Sequence, residues 1–214
     1  MSQVDYQHYA FEKYIDLKRW ISYYYQLEKC LSIKAGDILI IGKGDGLLEK
    51  AIINYNNDVR ITTFDYAEDL NPDVCGNVLE LSSFFKEKRF SIIICCQVLE
   101  HLPFELFERA LHEIQNVLKK DGLLVLSLPD NGICLDVSIH IPKVGDYRFA
   151  PKICKFYRGK FKYNGEHYWE INSARQYSLK KVKSEICRYF ELQYDYLVPL
   201  NHYHHFFVCK QYNQ

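Results

Sequence analysis

The residues best suited to chemistry begin at "DILIIGKGDGLLEKAI" (37–52), an apolar run entering a turn where Gly42, Gly44 and Gly46 alternate with Lys43 and Asp45. Glycines let a backbone approach a ligand closely. A dinucleotide site would read GxGxxG, but position 47 is leucine, and no GxxxxGK[ST] phosphate loop is present. The turn therefore suits a ligand that carries no phosphate and lays an amino-acid moiety along the backbone. Asp65 ends "RITTFD", 23 residues after Gly42, where a carboxylate can accept both hydroxyls of a ribose.

S-adenosylmethionine meets both conditions. Proton chemistry would fall to histidines, which titrate near neutral pH. His101 in "LEHLP" follows the apolar run "FSIIICC", at the sheet edge where α/β proteins place ligands. It reads as a general base or as a helix-entry residue that merely packs. His167 in "GEHYWEI" stands beside Trp169 and Glu170, a His–Glu pair on an aromatic wall that could orient a base or staple a loop. His202 and His204 would share one face of a strand with His205 opposite. With no cysteine or acid beside them to complete a set, no metal is expected there.

Residues 143–163 carry seven cations against one acid, with six aromatics interleaved. They suit a lid over an anionic acceptor, with Arg148 and Arg158 as carboxylate or phosphate clamps. A solvated face and an RNA-stacking surface are the alternatives.

These groups need a scaffold, and 214 residues suffice for one domain with a full core. Charges balance at 27 basic and 27 acidic side chains, so no global field draws nucleic acid or an anionic membrane. The eight cysteines include no CxxC pair and sit mostly in apolar surroundings, which predicts buried free thiols. With no signal-peptide pattern and no run long enough to span a bilayer, a cytoplasmic protein is expected.

Leu17, Ile21, Tyr24, Leu27 and Leu31 mark a first amphipathic helix, which presents Arg19, Trp20, Tyr25 and Gln26. Apolar runs at 37–42, 60–65, 90–96 and 121–129 alternate with helices, which predicts an α/β fold with a parallel sheet and helices on both faces. "SLKKVKSEICRYF" reads as a serine-capped helix. "ELQYDYLVP" and "HHFFVCK", joined by "LNHY", read as a closing antiparallel hairpin.

"GKGDG", "TTFD", "FSIIICCQVLEHLP" and "LKKDGLLVLSLP" stand in an order and spacing that resembles the class I S-adenosylmethionine-dependent methyltransferases. "RWISYYYQ", "NPDVCGNVLEL", "GEHYWEI" and "YHHFFV" extend the resemblance, of methyltransferase type 11-like kind, over nearly the whole chain. It implies a Rossmann-like seven-stranded sheet, mostly parallel with an antiparallel last strand. Residues 1–36 would form a helical segment over the cofactor, and 130–177 an insert serving as acceptor lid. Gly42, Lys43, Gly44 and Gly46 would hold the methionine moiety, Asp65 the ribose, Tyr66 the adenine face, and Asn77 and Val78 its edge. Cys96, Gln97 and Val98 would lie beside the methyl group. Ile40 stands where the family often has an acid that anchors the turn, and Asn77 where it often has aspartate. The expected function is O-methylation of a small hydrophilic, anionic acceptor, a sugar or nucleotide-linked intermediate. An RNA or protein methyltransferase, or a catalytically degenerate binding subunit, is the alternative.

Overall fold

A computed structural model describes residues 14–85, 90–149, 152–154 and 163–212. Helix α1 (Leu17–Cys30) leads to β1 (Gly36–Ile41), α2 (Leu47–Tyr55), β2 (Val59–Asp65), β3 (Val74–Cys75) and a short α3 (Leu81–Phe84). β4 (Phe90–Cys96), α4 (Phe107–Val117) and β5 (Leu118–Pro129) follow. The short strands β6 (Ile133–Cys134), β7 (Val137–Ile141), β8 (Gly145–Phe149) and β9 (Lys152–Cys154) precede α5 (Leu179–Tyr189), β10 (Phe190–Val198) and β11 (Asn201–Gln211).

The main sheet has seven strands in the order β10-β11-β5-β4-β1-β2-β3. β1 runs parallel to β2 and β4, and β4 to β5, whereas β11 is antiparallel to both β5 and β10. This is the expected Rossmann-like sheet with its antiparallel last strand. Strand alternation divides the core. Leu39, Ile41, Ile93 and Cys95 face α4 and α5, while Ile38, Ile40, Ile92 and Ile94 pack with Cys30, Leu48 and Ile52 of α1 and α2. Both faces are covered, so β1 and β4 read as continuous apolar runs. In α4, Phe107, Ala110, Leu111, Ile114 and Val117 recur at helical spacing and are all fully buried.

Two boundaries differ from the sequence reading. The helix expected to reach Lys119 stops at Val117, and β5 takes up Leu118–Lys120. The closing hairpin turns at Pro199–Leu200, with Leu200 at φ 63 and Val198 paired to Asn201. "LNHY" is therefore mostly strand, and His202, His204 and His205 all lie within β11.

The described parts of 130–177 fall into two different settings. β7 and β8 form an exposed antiparallel hairpin. The return stretch enters the core instead. Trp169 and Ile171 are fully buried, and the Trp169 ring packs edge-on against Phe104 and Phe107. Its Nε1 donates to the Leu102 carbonyl at 3.1 Å. Trp169 is thus a core residue and not part of an acceptor wall, because a fully buried ring offers a ligand no surface. Among the described cysteines, Cys30, Cys95 and Cys209 are buried free thiols as expected, but Cys75 and Cys187 are exposed.

Candidate active site

β1 and β4 lie side by side where the strand order reverses, the position at which open α/β sheets bind ligands. A cavity of about 370 Å³ opens there, lined by the glycine turn, the ends of β2 and β4, and helix α1. Gly42 has φ +84, and a Cβ built on it would lie 2.5 Å from Val98 Cγ2. Only glycine lets the turn pack this tightly against the loop after β4. Asp65 accepts from the Lys43 amide at 2.7 Å and the Ala67 amide at 2.9 Å. A carboxylate has about four lone-pair positions, so Asp65 braces the turn and keeps capacity for two hydroxyls.

The brace that Ile40 does not supply comes from Asp45. Its carboxylate accepts from Tyr23 Oη at 2.9 Å and from the Leu47 amide at 3.0 Å, tying α1 to the turn. Asn77 Oδ1 caps Leu79 at 3.0 Å, and Phe64, Tyr66, Leu70 and Val78 shape an apolar slot beside it. Gln97, a non-glycine at φ 57, is held by its amide to Ser127 O at 3.0 Å and by Nε2 to Ser127 Oγ at 3.1 Å. A backbone cradle, a carboxylate with spare acceptors and a flat apolar slot fit S-adenosylmethionine.

The other end of the cavity is different in kind. His101 lines it, with Nδ1 2.9 Å from the Glu166 carbonyl. A carbonyl only accepts, so that nitrogen carries the proton and Nε2 keeps its lone pair. The His167 ring stands 5.0 Å from that of His101, with its Nδ1 3.0 Å from Glu170 Oε1. Tyr203 Oη also donates to Glu170 Oε1, at 2.7 Å. Beneath them Glu100 is fully buried, and among the described residues neither carboxylate oxygen has a hydrogen-bond partner. Burial pushes Glu100 up to about 8 and pulls His101 below its ordinary value. Burial also opposes the charge on His167, but Glu170 and neighbouring acids outweigh it and leave that group raised. His204 reaches the cavity from β11 with its buried Nδ1 unpartnered among the described residues, and burial pulls it down to about 3.

Of the residues expected from sequence, Gly42, Lys43, Gly44, Asp65, Tyr66, Asn77, Val78, Cys96, Gln97, Val98 and His101 line this one cavity. Gly46 does not reach it, and instead caps α2 at φ 70. His167 and Glu170 stand one ring behind His101. Arg148 is elsewhere, forked onto Asp136 with Nε at 2.7 Å from Oδ1, so its guanidinium is already neutralised. Arg158 lies outside the described residues. Arg19 and Gln26 line the cavity as a covering helix requires, but Trp20 is exposed and Tyr25 packs on Tyr196. The three strand histidines serve separate settings. His202 meets Asp136, His204 the cavity, and His205 sits between Asp130 and Asp195 at 2.8 and 2.9 Å. Sequence reasoning missed Tyr14, Ser22 and Tyr23, and weighed His204 only as a metal ligand and not as part of this cavity. The helical spacing of Arg19, Ser22, Tyr23 and Gln26 was the available signal for α1.

A sheet of this order with a ligand cavity over its first glycine turn is the architecture of the S-adenosylmethionine-dependent methyltransferases. The chain belongs to their methyltransferase-domain family, which matches it over residues 6–194. Enzymes of this class take their methyl group from S-adenosylmethionine. A stretch of 105 residues is 29% identical to a ubiquinone biosynthesis O-methyltransferase of Glaesserella parasuis, covering 42% of this chain and 44% of that protein. The chain thus spans less than half the length of the curated relatives it matches.

Among solved structures, the Pyrococcus horikoshii protein PH0226 superposes with a TM-score of 0.62 at 17% identity, over 98% of this chain and all of that one. The 1,6-didemethyltoxoflavin-N1-methyltransferase of Burkholderia thailandensis, solved with 1,6-didemethyltoxoflavin and S-adenosylhomocysteine, gives 0.58 at 15% identity, over 92% and 78%. At such identities the likeness speaks for the fold. Among the described residues no helix is long and apolar enough to cross a membrane.

Proposed function

We propose that this protein methylates a hydroxyl of a small hydrophilic acceptor bearing an anionic group, of the sugar or nucleotide-linked kind. The observation that carries this reading is the continuity of one cavity from the Asp65-braced turn to the His101 corner. Asp65 holds the ribose, Tyr66 and Val78 flank the adenine, and Cys96, Gln97 and Val98 position the methyl-bearing end.

Bound S-adenosylmethionine supplies an electrophilic methyl carbon on a sulfonium. Held by Asp65, Cys96, Gln97 and Val98, it would offer that carbon to the acceptor oxygen, with the electrons of the carbon–sulfur bond left on sulfur. Much of the rate then comes from alignment. A hydroxyl also has to lose its proton, and the corner of His101 and His167 is where such a proton would be received. Arg19 lines the same cavity, stacked 3.8 Å over the Tyr14 ring, and suits an anionic group on the acceptor. The O-methyltransferase name of the Glaesserella parasuis relative supports oxygen as the methylated atom.

Calorimetry with S-adenosylhomocysteine, followed by transfer of labelled methyl to matched hydroxyl and amine acceptors, tests the reading. One molecule bound per chain and label on oxygen are expected. A chain that binds no S-adenosylhomocysteine overturns the cofactor site, and label on nitrogen alone overturns the hydroxyl acceptor.

A further inference from the structure

The corner beside His101 has a chemistry that acceptor binding alone does not use. Among the described residues, Glu100, His101 and His167 form the group of potential ligands whose donor atoms, one from each, all lie within 4.8 Å of one another. Atoms that share one ion at about 2.0–2.2 Å sit roughly 3–4 Å apart, so small side-chain rotations close the set.

Both imidazoles are fixed through Nδ1. His101 donates through Nδ1 to the Glu166 carbonyl at 2.9 Å, and His167 Nδ1 meets Glu170 Oε1 at 3.0 Å. With the proton on Nδ1, each ring in its neutral form offers the Nε2 lone pair to a metal. A ligating histidine whose other nitrogen is fixed by a carbonyl or carboxylate is the usual outer-shell arrangement of a metal site.

The second observation is independent of that spacing. Glu100 is completely buried, and neither of its oxygens has a hydrogen-bond partner among the described residues. Buried carboxylates are normally hydrogen-bonded, paired or bound to metal. Here one carboxylate and two imidazoles gather beside a ligand cavity that His101 lines.

We propose that Glu100, His101 and His167 bind one divalent transition-type cation, manganese, iron or zinc, at the acceptor end of the methyltransferase cavity. Two imidazoles and one carboxylate match these ions better than magnesium or calcium, which favour all-oxygen sets. Three protein ligands leave coordination positions open, and His101 itself lines the cavity. The role of the ion rests on the function proposed above. With both imidazoles ligating, the cation takes over their part in deprotonation: it lowers the pKa of an acceptor hydroxyl, whose proton passes to solvent, and the oxygen lone pair is freed to attack the methyl carbon. Glu170 and Tyr203 are positioning residues, acting through the His167 ring.

The test uses the full chain after treatment with a chelator, titrated with Mn²⁺ by electron paramagnetic resonance and with Zn²⁺ by calorimetry. One ion per chain is expected. Glu100→Gln and His167→Ala should each weaken Mn²⁺ binding by more than about tenfold, and Glu170→Gln by about 10–100-fold. Affinity for S-adenosylhomocysteine should stay within about twofold in all three. Circular dichroism melts identify any variant that fails to fold, and the wild-type titration alone remains decisive. No stoichiometric Mn²⁺ or Zn²⁺ in the wild type, or equal binding by folded variants, overturns the site. Failure of the wild type to bind S-adenosylhomocysteine would strike the methyltransferase reading instead and leave the ion titration standing.

Discussion

The two ends of the cavity are finished to different degrees. At the glycine turn nearly every polar group is spent: Asp65 on two backbone amides, Asp45 on Tyr23 and Leu47, Gln97 on Ser127. What remains there is spare capacity on groups already fixed in place. At the other end Glu100 and His204 are buried with polar atoms unpartnered among the described residues. The difference teaches where ligand energy enters. The first end is preorganised for one fixed molecule, whereas the second carries a desolvation penalty that an acceptor or an ion would relieve.

The largest test of that contrast is kinetic. His101→Ala should lower turnover by about 10²–10⁴-fold, whether the group it removes is a general base or a ligand to the proposed cation. Affinity for S-adenosylhomocysteine should change little, because the turn and Asp65 are untouched. Unchanged turnover with a defined acceptor would show that this corner only shapes the cavity. At the finished end the effect should appear in binding. Asp65→Ala removes the ribose acceptor and the brace on Lys43 together, and should weaken S-adenosylhomocysteine by about 1.5–3 kcal/mol in calorimetry.

The unpartnered end should also show in acid stability. Burial holds His204 neutral, down to about 3. Its folded value is depressed, so the stability it contributes is complete above the unfolded value of about 6.5 and is lost as pH falls toward 3. By pH 4.5 the wild type should have lost about 2–3 kcal/mol from this group, at 1.36 kcal/mol per unit. His204→Gln should remove most of that slope in urea unfolding at pH 7 and pH 4.5. Equal slopes would show that the ring is reached by water or finds a partner.

The same contrast explains how much could be read from the chain alone. The turn from Gly42 to Gly46 and the acid at 65 are local in sequence, and their geometry is carried by backbone and by strand ends. They were therefore legible, as was the alternation that gives the sheet. His204 was not, because its setting depends on β11 lying against β5 and beneath α1, where Asn201 bonds Ser22 at 2.9 Å. Glu100 was passed over because its burial is created by distant elements, including the 166–177 return. Trp169 was misplaced for the same reason. An aromatic in a segment without periodicity gives no sign of which face it will bury, and the decision is made by Phe104 and Phe107.

The smallest expected effect separates the two cations that could meet an anionic acceptor. Arg148 was expected to clamp it from a lid, but its guanidinium is forked onto Asp136, and both side chains remain about a quarter exposed. A partly exposed pair contributes little, roughly 0–1 kcal/mol. Arg148→Gln should therefore lower stability by less than about 1 kcal/mol and leave the acceptor KM where it was. Arg19 lines the cavity itself, close enough to His204 to help keep that ring uncharged. Arg19→Gln should raise KM for an anionic acceptor, and the wild-type KM should climb with salt because part of the attraction is screened. Should Arg148→Gln raise KM while Arg19→Gln does not, the Asp136 pair must open to meet the acceptor. The exposed hairpin would then be the recognition element, and α1 only a cover for the cofactor.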